Sequence, residues 1–217
     1  FSVASADGTL TSVTVNILGT NDAAVLSSDT RNLTETNAAA DISTSGTLTA
    51  SDVDSSAAFV VQAGTAGSYG TFAINAAGAW TYTASSAHNE FVAGTTYTDT
   101  FSVASADGTL TSVTVNILGT NDAAVLSSDT RNLTETNSAT DISTSGTLTV
   151  SDVDSSAAFV AQAGTAGSYG TFAINAAGAW TYTASSAHNE FAAGTTYTDT
   201  FSVASADGTL TSVTVNI

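Results

Sequence analysis

The sequence predicts an all-β protein: tandem β-sandwich domains of about seven strands each. Three observations carry that reading. Apolar and small polar residues alternate along short segments, as in "AWTYTA" (79–84) and "VTVNI" (113–117). No segment sustains a helical period. The chain also repeats itself: shifted by 100 residues, 1–100 and 101–200 differ at only five positions, Ala38/Ser138, Ala40/Thr140, Ala50/Val150, Val61/Ala161 and Val92/Ala192. That period is far longer than the roughly 20 to 50 residues of solenoid repeats and matches a whole domain.

Within one period the predicted strands cover 24–34 (a run that can break in two), 42–50, 57–62, 69–75, 79–84, 97–105 and 109–117. Short strands at this spacing, with turn signals between them, are the pattern of an immunoglobulin-like sandwich. Trp80 and Tyr82 share one strand face, Phe72 and Ile74 another, and Val113, Val115 and Ile117 a third. The Thr, Ser and Ala residues between them then meet solvent. "INAAGAW" (74–80) reads as a hairpin, and "ASADGTL" (104–110) as another with Asp-Gly at its tip. "LGTND" at 18–22 and 118–122 follows a closing strand and reads as a linker. Domains are therefore expected at 23–117 and 123–217. Residues 1–17 read as the closing hairpin of a preceding, truncated repeat, which alone is marginal in water. With Phe1 in first position and no signal peptide, the sequence reads as a piece of a longer protein.

Composition narrows the partners. The chain has 217 residues, 42% hydrophobic and 10% charged, with 19 Asp and Glu against two basic residues, both arginine, for a formal net charge of -17. Nucleic acid and anionic membrane surfaces would be repelled. Recurrent Val, Ile, Leu and aromatic residues argue against disorder. No cysteine is present to form disulfides, and no apolar run is long enough to cross a bilayer.

A recurring pair of aspartates raises the functional question. "SDVDSS" places Asp52 and Asp54, and again Asp152 and Asp154, one residue apart. In a sandwich the loops alternate between poles. Asp52, Asp54 and Asp107 fall at the incoming pole, where Asn21 and Asp22 of the linker also arrive. Glu35, Asn89 and Glu90 fall at the outgoing pole, facing the next linker. The junction at 118–122 should thus collect Glu35, Glu90, Asn121, Asp122, Asp152, Asp154 and Asp207, while Glu135 and Glu190 occupy the outgoing pole of the second repeat. So many carboxylates repel one another unless neutralised. An all-oxygen set without His or Cys suits calcium.

These residues carry a resemblance. "GTLTASDVDSSAAF" resembles the Asp-x-Asp calcium segment of cadherin-type repeats, and "GTND" their interdomain linker. "GTFAINAAGAWTYTA", "AGTTYTDTFSVASADGT" and "VTVNILGTNDA" are similar to the VCBS and related cadherin-like repeats of large RTX-type bacterial adhesins. The resemblance covers the whole period, twice. It implies an extracellular, calcium-bound structural repeat of a cell-surface or biofilm adhesin, secreted by a type I route, whose partners are neighbouring repeats of the same chain. The linker departs from the pattern in having Ala-Ala where such repeats often have Pro after "NDA", and in carrying fewer acidic residues than a cadherin linker.

Blander readings stand beside these. Asp52 and Asp54 also favour turns, and Asp107 sits in a good hairpin turn. Asp29, Asp41 and Asp99 read as solvated. Trp80 reads as core. Neither His88 nor Arg31 has neighbours in sequence that suggest a triad or a zinc site, so an enzyme is not expected. Extender repeats are the leading reading. A self-assembling extracellular filament or sheath, with lateral self-association, and a glycan- or protein-binding module are the alternatives.

Overall fold

A computed structural model describes residues 1–217. Two strands, β1 (Ser2–Ala4) and β2 (Leu10–Ser12), form an N-terminal hairpin. The first repeat continues with β3 (Val25–Leu26), β4 (Asp29–Thr34), β5 (Thr44–Thr47), β6 (Ala50–Ser51), β7 (Gln62–Ala66), β8 (Gly70–Ile74), β9 (Ala79–Ala84), β10 (Thr96–Ala104) and β11 (Leu110–Leu118). The second has β12 (Val125–Leu126), β13 (Asp129–Asn132), β14 (Thr144–Thr147), β15 (Val150–Ser151), β16 (Gln162–Ala166), β17 (Gly170–Ile174), β18 (Ala179–Ala184), β19 (Thr198–Ala204) and β20 (Leu210–Asn216). The chain is all-β and contains no helix.

In the second repeat one sheet runs β14-β18-β17-β16 and the other β13-β20-β19, with β12 and β15 as a short ribbon. Strand β13 joins β20 in parallel, Asp129 beside Val213 through Asn132 beside Asn216, whereas β19 and β20 are an antiparallel hairpin. Period-two alternation puts Trp180, Tyr182, Phe172, Ile174, Val203, Val213 and Val215 into one core. Phe172 stacks on Phe201 at 4.8 Å between centroids. Each large side chain buried this way contributes about 1.5–3 kcal/mol, and the intervening threonines of β18 stay exposed. In the β17–β18 turn, Asn175 Oδ1 accepts from the Ala177 and Ala179 amides. Gly178 there takes a φ of 86°, a conformation that other residues resist. The first repeat has the same strand orders, β5-β9-β8-β7, β10-β11-β4 and β3-β6.

The chain divides into two compact units. One comprises residues 1–31, 43–83 and 99–115, with Phe72, Trp80, Tyr82 and Phe101 at its centre. The other comprises 32–42, 84–98 and 116–217, so the outgoing pole of the first repeat, the 118–122 linker and the whole second repeat belong to one body.

Four expectations need correction. The run 42–50 is broken into β5 and β6, whereas 24–34 divides into β3 and β4 as its sequence allowed. The third strand lies at β7, not 57–62. Phe59 is buried and makes only an isolated bridge to Ser105, while Val60 and Val61 are exposed, because this stretch crosses from one sheet to the other before it can pair with β8. Asp99 is not solvated: it is buried and accepts from the Ser68 and Tyr69 amides and from the Tyr82 hydroxyl, which pins the turn before β8. Asp29 is half-buried and pairs with Arg31, whose guanidinium lies 5.6 Å from the Trp80 ring centre.

Candidate functional site

The loop after β15 is folded by its own aspartate. Asp152 Oδ1 accepts from the Asp154 and Ser155 amides at 3.1 and 2.8 Å, an Asx turn that any loop aspartate could make. Its second oxygen, Oδ2, is buried and has no donor. The turn and the candidate ligand are therefore two oxygens of one carboxylate. Asp154 is buried; one of its oxygens accepts from the Asp122 amide at 3.3 Å, and Oδ2 again has no donor.

Asp207 has a different part. Asn121 Nδ2, the Ala124 amide, the Ser205 hydroxyl and both the amide and hydroxyl of Thr209 donate to it. These donors, the serine and threonine hydroxyls foremost, hold its carboxyl well below the usual carboxylate range. Its oxygens are taken, and it clamps the end of the linker to the β19–β20 hairpin. Asp107 does the same for Asn21 and Ala24. Asn121 Oδ1 accepts from the Ser155 hydroxyl at 3.4 Å.

From the other side comes Glu35, placed just past β4. Its amide donates to Leu118 O at 2.8 Å. Its Oε2 accepts from the Thr120 hydroxyl at 2.7 Å and the Thr120 amide at 3.3 Å. Between them, Gly119 donates to Thr95 O and accepts from the Gly94 amide, both at 2.9 Å. A Cβ on Gly119 would stand 2.5 Å from the Val92 carbonyl oxygen, so only glycine fits. Glu35 is 1% exposed, yet its Oε1 has no donor, and neither has the buried Asn89 Oδ1.

The remaining predicted glutamates are placed elsewhere. Glu90 Oε1 pairs with His88 Nδ1 at 2.7 Å and its side chain is mostly exposed; Glu190 and His188 do likewise at 2.8 Å. The hydrogen bond from histidine holds both glutamates below their ordinary range. His88 itself is buried against Phe91, and nothing in its sequence neighbourhood announced that role. Thr120, which links Glu35 to the linker, was also missed. Its position inside "GTND" was the only signal.

The carboxylates around the linker act on one another electrostatically. Burial pushes the Asp122 carboxyl up, and the negative charges of Glu35, Asp154 and Asp152 push it further. Asp154 is likewise raised, by burial first and then by Asp152, partly offset by the Asp122 N–H. Five buried oxygens of the junction lack a donor: Glu35 Oε1, Asn89 Oδ1, Asp122 Oδ2, Asp152 Oδ2 and Asp154 Oδ2. An unsatisfied buried acceptor costs about 1–3 kcal/mol, and more if charged. All five are oxygens, the donor chemistry a hard cation takes. The side chains do not close into a cage: no three His, Cys, Asp or Glu stand together closely enough to hold an ion. At 18–22, Asp22 and Asp54 are exposed, and Asp52 Oδ2 is the one buried oxygen without a donor. Glu135 Oε1 has none either.

The bacterial cadherin-like domain family matches residues 21–119 and again 121–217. Among solved structures, a protocadherin gammaB7 EC3-6 cis-dimer is 15% identical over 90% of this chain and 47% of its own, with a TM-score of 0.49. Human CDH23 EC21-23 is 16% identical over 92% and 66%, at 0.48. The protocadherin gammaB4 extracellular domain is 17% identical over 96% and 36%, at 0.43. The chain thus spans less than half of both protocadherins. No curated protein matches the sequence.

Proposed function

This chain belongs to the bacterial cadherin-like domain family, and from that premise we propose that it is a stretch of non-enzymatic extender repeats stiffened by calcium at the linkers. The observation that carries this reading is the set of five donorless buried oxygens around 118–122, coming from both sides of the linker. Glu35, Asn89, Asp122, Asp152 and Asp154 would hold the ion. Bound calcium supplies the positive charge that these oxygens lack. The protein's own part is to place them: the Asx turn of Asp152 occupies one oxygen and leaves the other without a donor, Thr120 orients Glu35, and Asp207 and Asn121 fix the path of the linker. Glu90 and Glu190 stand outside this set because their charge is directed at histidine.

The role fits near-identical beads, since length is then set by copy number. It also fits an acidic surface, which stays soluble and turns away polyanions. The location that follows is the outside of a bacterial cell, where calcium is plentiful enough for sites with Kd on the order of 10⁻⁴ to 10⁻³ M. Adhesion or biofilm support by an RTX-type secreted protein is the setting we assign. Thermal unfolding and small-angle scattering, with calcium and with EGTA, test it. Calcium should raise Tm and the maximum dimension together, and identical values in the two buffers would end the proposal.

A further inference from the structure

Asn32, Leu33 and Thr34 spell Asn-x-Thr, the acceptor triplet for attachment of a sugar to an asparagine amide. The triplet recurs at 132–134, and no other asparagine of the chain has Ser or Thr two residues on. In a chain this rich in Ser and Thr the letters alone carry little. Their setting in the fold carries more.

Strand β4 is an edge strand, paired in its sheet only with β11. Its period-two alternation half-buries Leu33 and leaves Asn32 and Thr34 exposed on the same outer face. A ladder of side chains crosses that face. The Thr98 hydroxyl donates to Asn116 Oδ1 at 2.8 Å, and Asn116 Nδ2 donates to Asn32 Oδ1 at 2.8 Å. Asn32 ends the ladder with its oxygen occupied and its Nδ2 turned away from β11, where no group of the protein accepts from it. The Thr34 hydroxyl makes no hydrogen bond either. The second repeat builds the same ladder from Thr198, Asn216 and Asn132. Beside the first ladder, Asn32, Thr34, Thr96, Asn116 and Leu118 line an open hollow of about 290 Å³.

We propose that Asn32 and Asn132 are N-glycosylation sites, each carrying a sugar on Nδ2. The donor is a sugar activated as its diphosphate, transferred by a glycosyltransferase of the cells that make the protein. The N–C bond forms at the anomeric carbon as that carbon's bond to the diphosphate oxygen breaks. The diphosphate leaves with the electron pair, and the amide proton passes to a base of the transferase. The fold accepts the product without rearrangement, since the ladder uses Oδ1 and not Nδ2. In the hollow the sugar meets the hydroxyls of Thr34 and Thr96 and the apolar side chain of Leu118. It also covers the free edge of β4, and a covered edge cannot pair with another chain.

Peptide mass mapping of the protein taken from the cells that make it tests the assignment. Asn32 and Asn132 should carry sugar. Asn116 should be bare, because its amide is engaged at both ends and Ile117 and Leu118 follow it. The size of the adduct tells the donors apart: a nucleotide-linked sugar adds single residues, a lipid-linked one a preassembled oligosaccharide in one step. Thr34→Ala should lower occupancy at Asn32 by about tenfold or more, with Asn132 occupied as in the parent. Its Tm should hold, because Thr34 is exposed. Bare Asn32 and Asn132, sugar on the Thr34 oxygen in their place, or a Thr34→Ala variant as fully occupied at Asn32 as the parent overturns the proposal.

Discussion

Leu18–Asp22 and Leu118–Asp122 are the same five residues in two surroundings. At 118–122 the linker is gripped from its N-terminal side by Glu35, Gly94 and Thr95, and Asp154 is buried beside it. At 18–22 only the β1–β2 hairpin precedes the linker among the residues described, and Asp22 and Asp54 are exposed. The difference teaches that the aspartates are not a site by themselves. Asp54 and Asp154 make the same local turn contacts, yet only Asp154 is buried, and Asp122 is raised partly by a glutamate 87 positions earlier in the chain.

The largest effect expected from this contrast is steric. Gly119→Ala should destabilise the protein by about 1–3 kcal/mol, since the new methyl is met by backbone that cannot rotate away. Gly19→Ala should stay within about 0.5 kcal/mol of the parent. Urea unfolding of the two variants side by side checks both, and equal losses would erase the distinction between the linkers.

Calcium comes next. At ten times Kd it should add about 1.4 kcal/mol, and Asp152→Asn with Asp154→Asn should remove that gain while each repeat stays folded. In this 217-residue stretch Asp52→Asn with Asp54→Asn should remove much less, because the residues described before 18–22 include no counterpart of Glu35 or Asn89. Calorimetric titration of the two double variants sharpens the comparison.

Glu35→Gln should act with opposite signs in the two buffers. In EGTA the amide relieves repulsion on Asp122 while keeping an acceptor for Thr120, for a gain of up to about 1 kcal/mol. In calcium it should cost a similar amount through a lost ligand. Thermal scans in both buffers report it, and a loss in both would assign Glu35 to packing alone.

The smallest effect is pH dependence without calcium. Asp122 and Asp154 have folded carboxyls above their ordinary value, so between that value and the raised one the folded chain binds more protons than the unfolded chain. The contribution of these two groups to stability should therefore rise as pH falls through this window and drop as pH rises out of it, while Asp207, Glu90 and Glu190, held below their ordinary range, contribute with the opposite sign. With calcium the trend should reverse, because protons compete for the ligands. The check is the Tm of the parent minus that of an Asp122→Asn, Asp154→Asn variant across a pH series in EGTA; a difference that falls from neutral to mildly acid would contradict the placement of these two carboxylates.

Much of this protein was legible in one dimension. The alternation in "AWTYTA" placed Trp80 and Tyr82 in the core, because a strand sends successive side chains to opposite faces whatever it packs against. The 100-residue period declared the tandem arrangement, and the spacing of Asp152 and Asp154 singled out the loop that brings two carboxylates to the linker. What depended on distant chain was hidden. Asp99 looked like any strand aspartate, and its burial follows from Tyr82 and the turn at 67–69 arriving over it. Glu90 read as a junction ligand, and its pairing with His88, two residues away, was not foreseen. The third strand slipped to 62–66 because apolar letters at 57–62 do not say which sheet will accept them. Above all, two identical linkers differ in burial and charge, and no reading of five residues can tell them apart: desolvation and Coulomb terms are set by whatever the fold brings within a few ångströms, and that is a property of the folded neighbourhood.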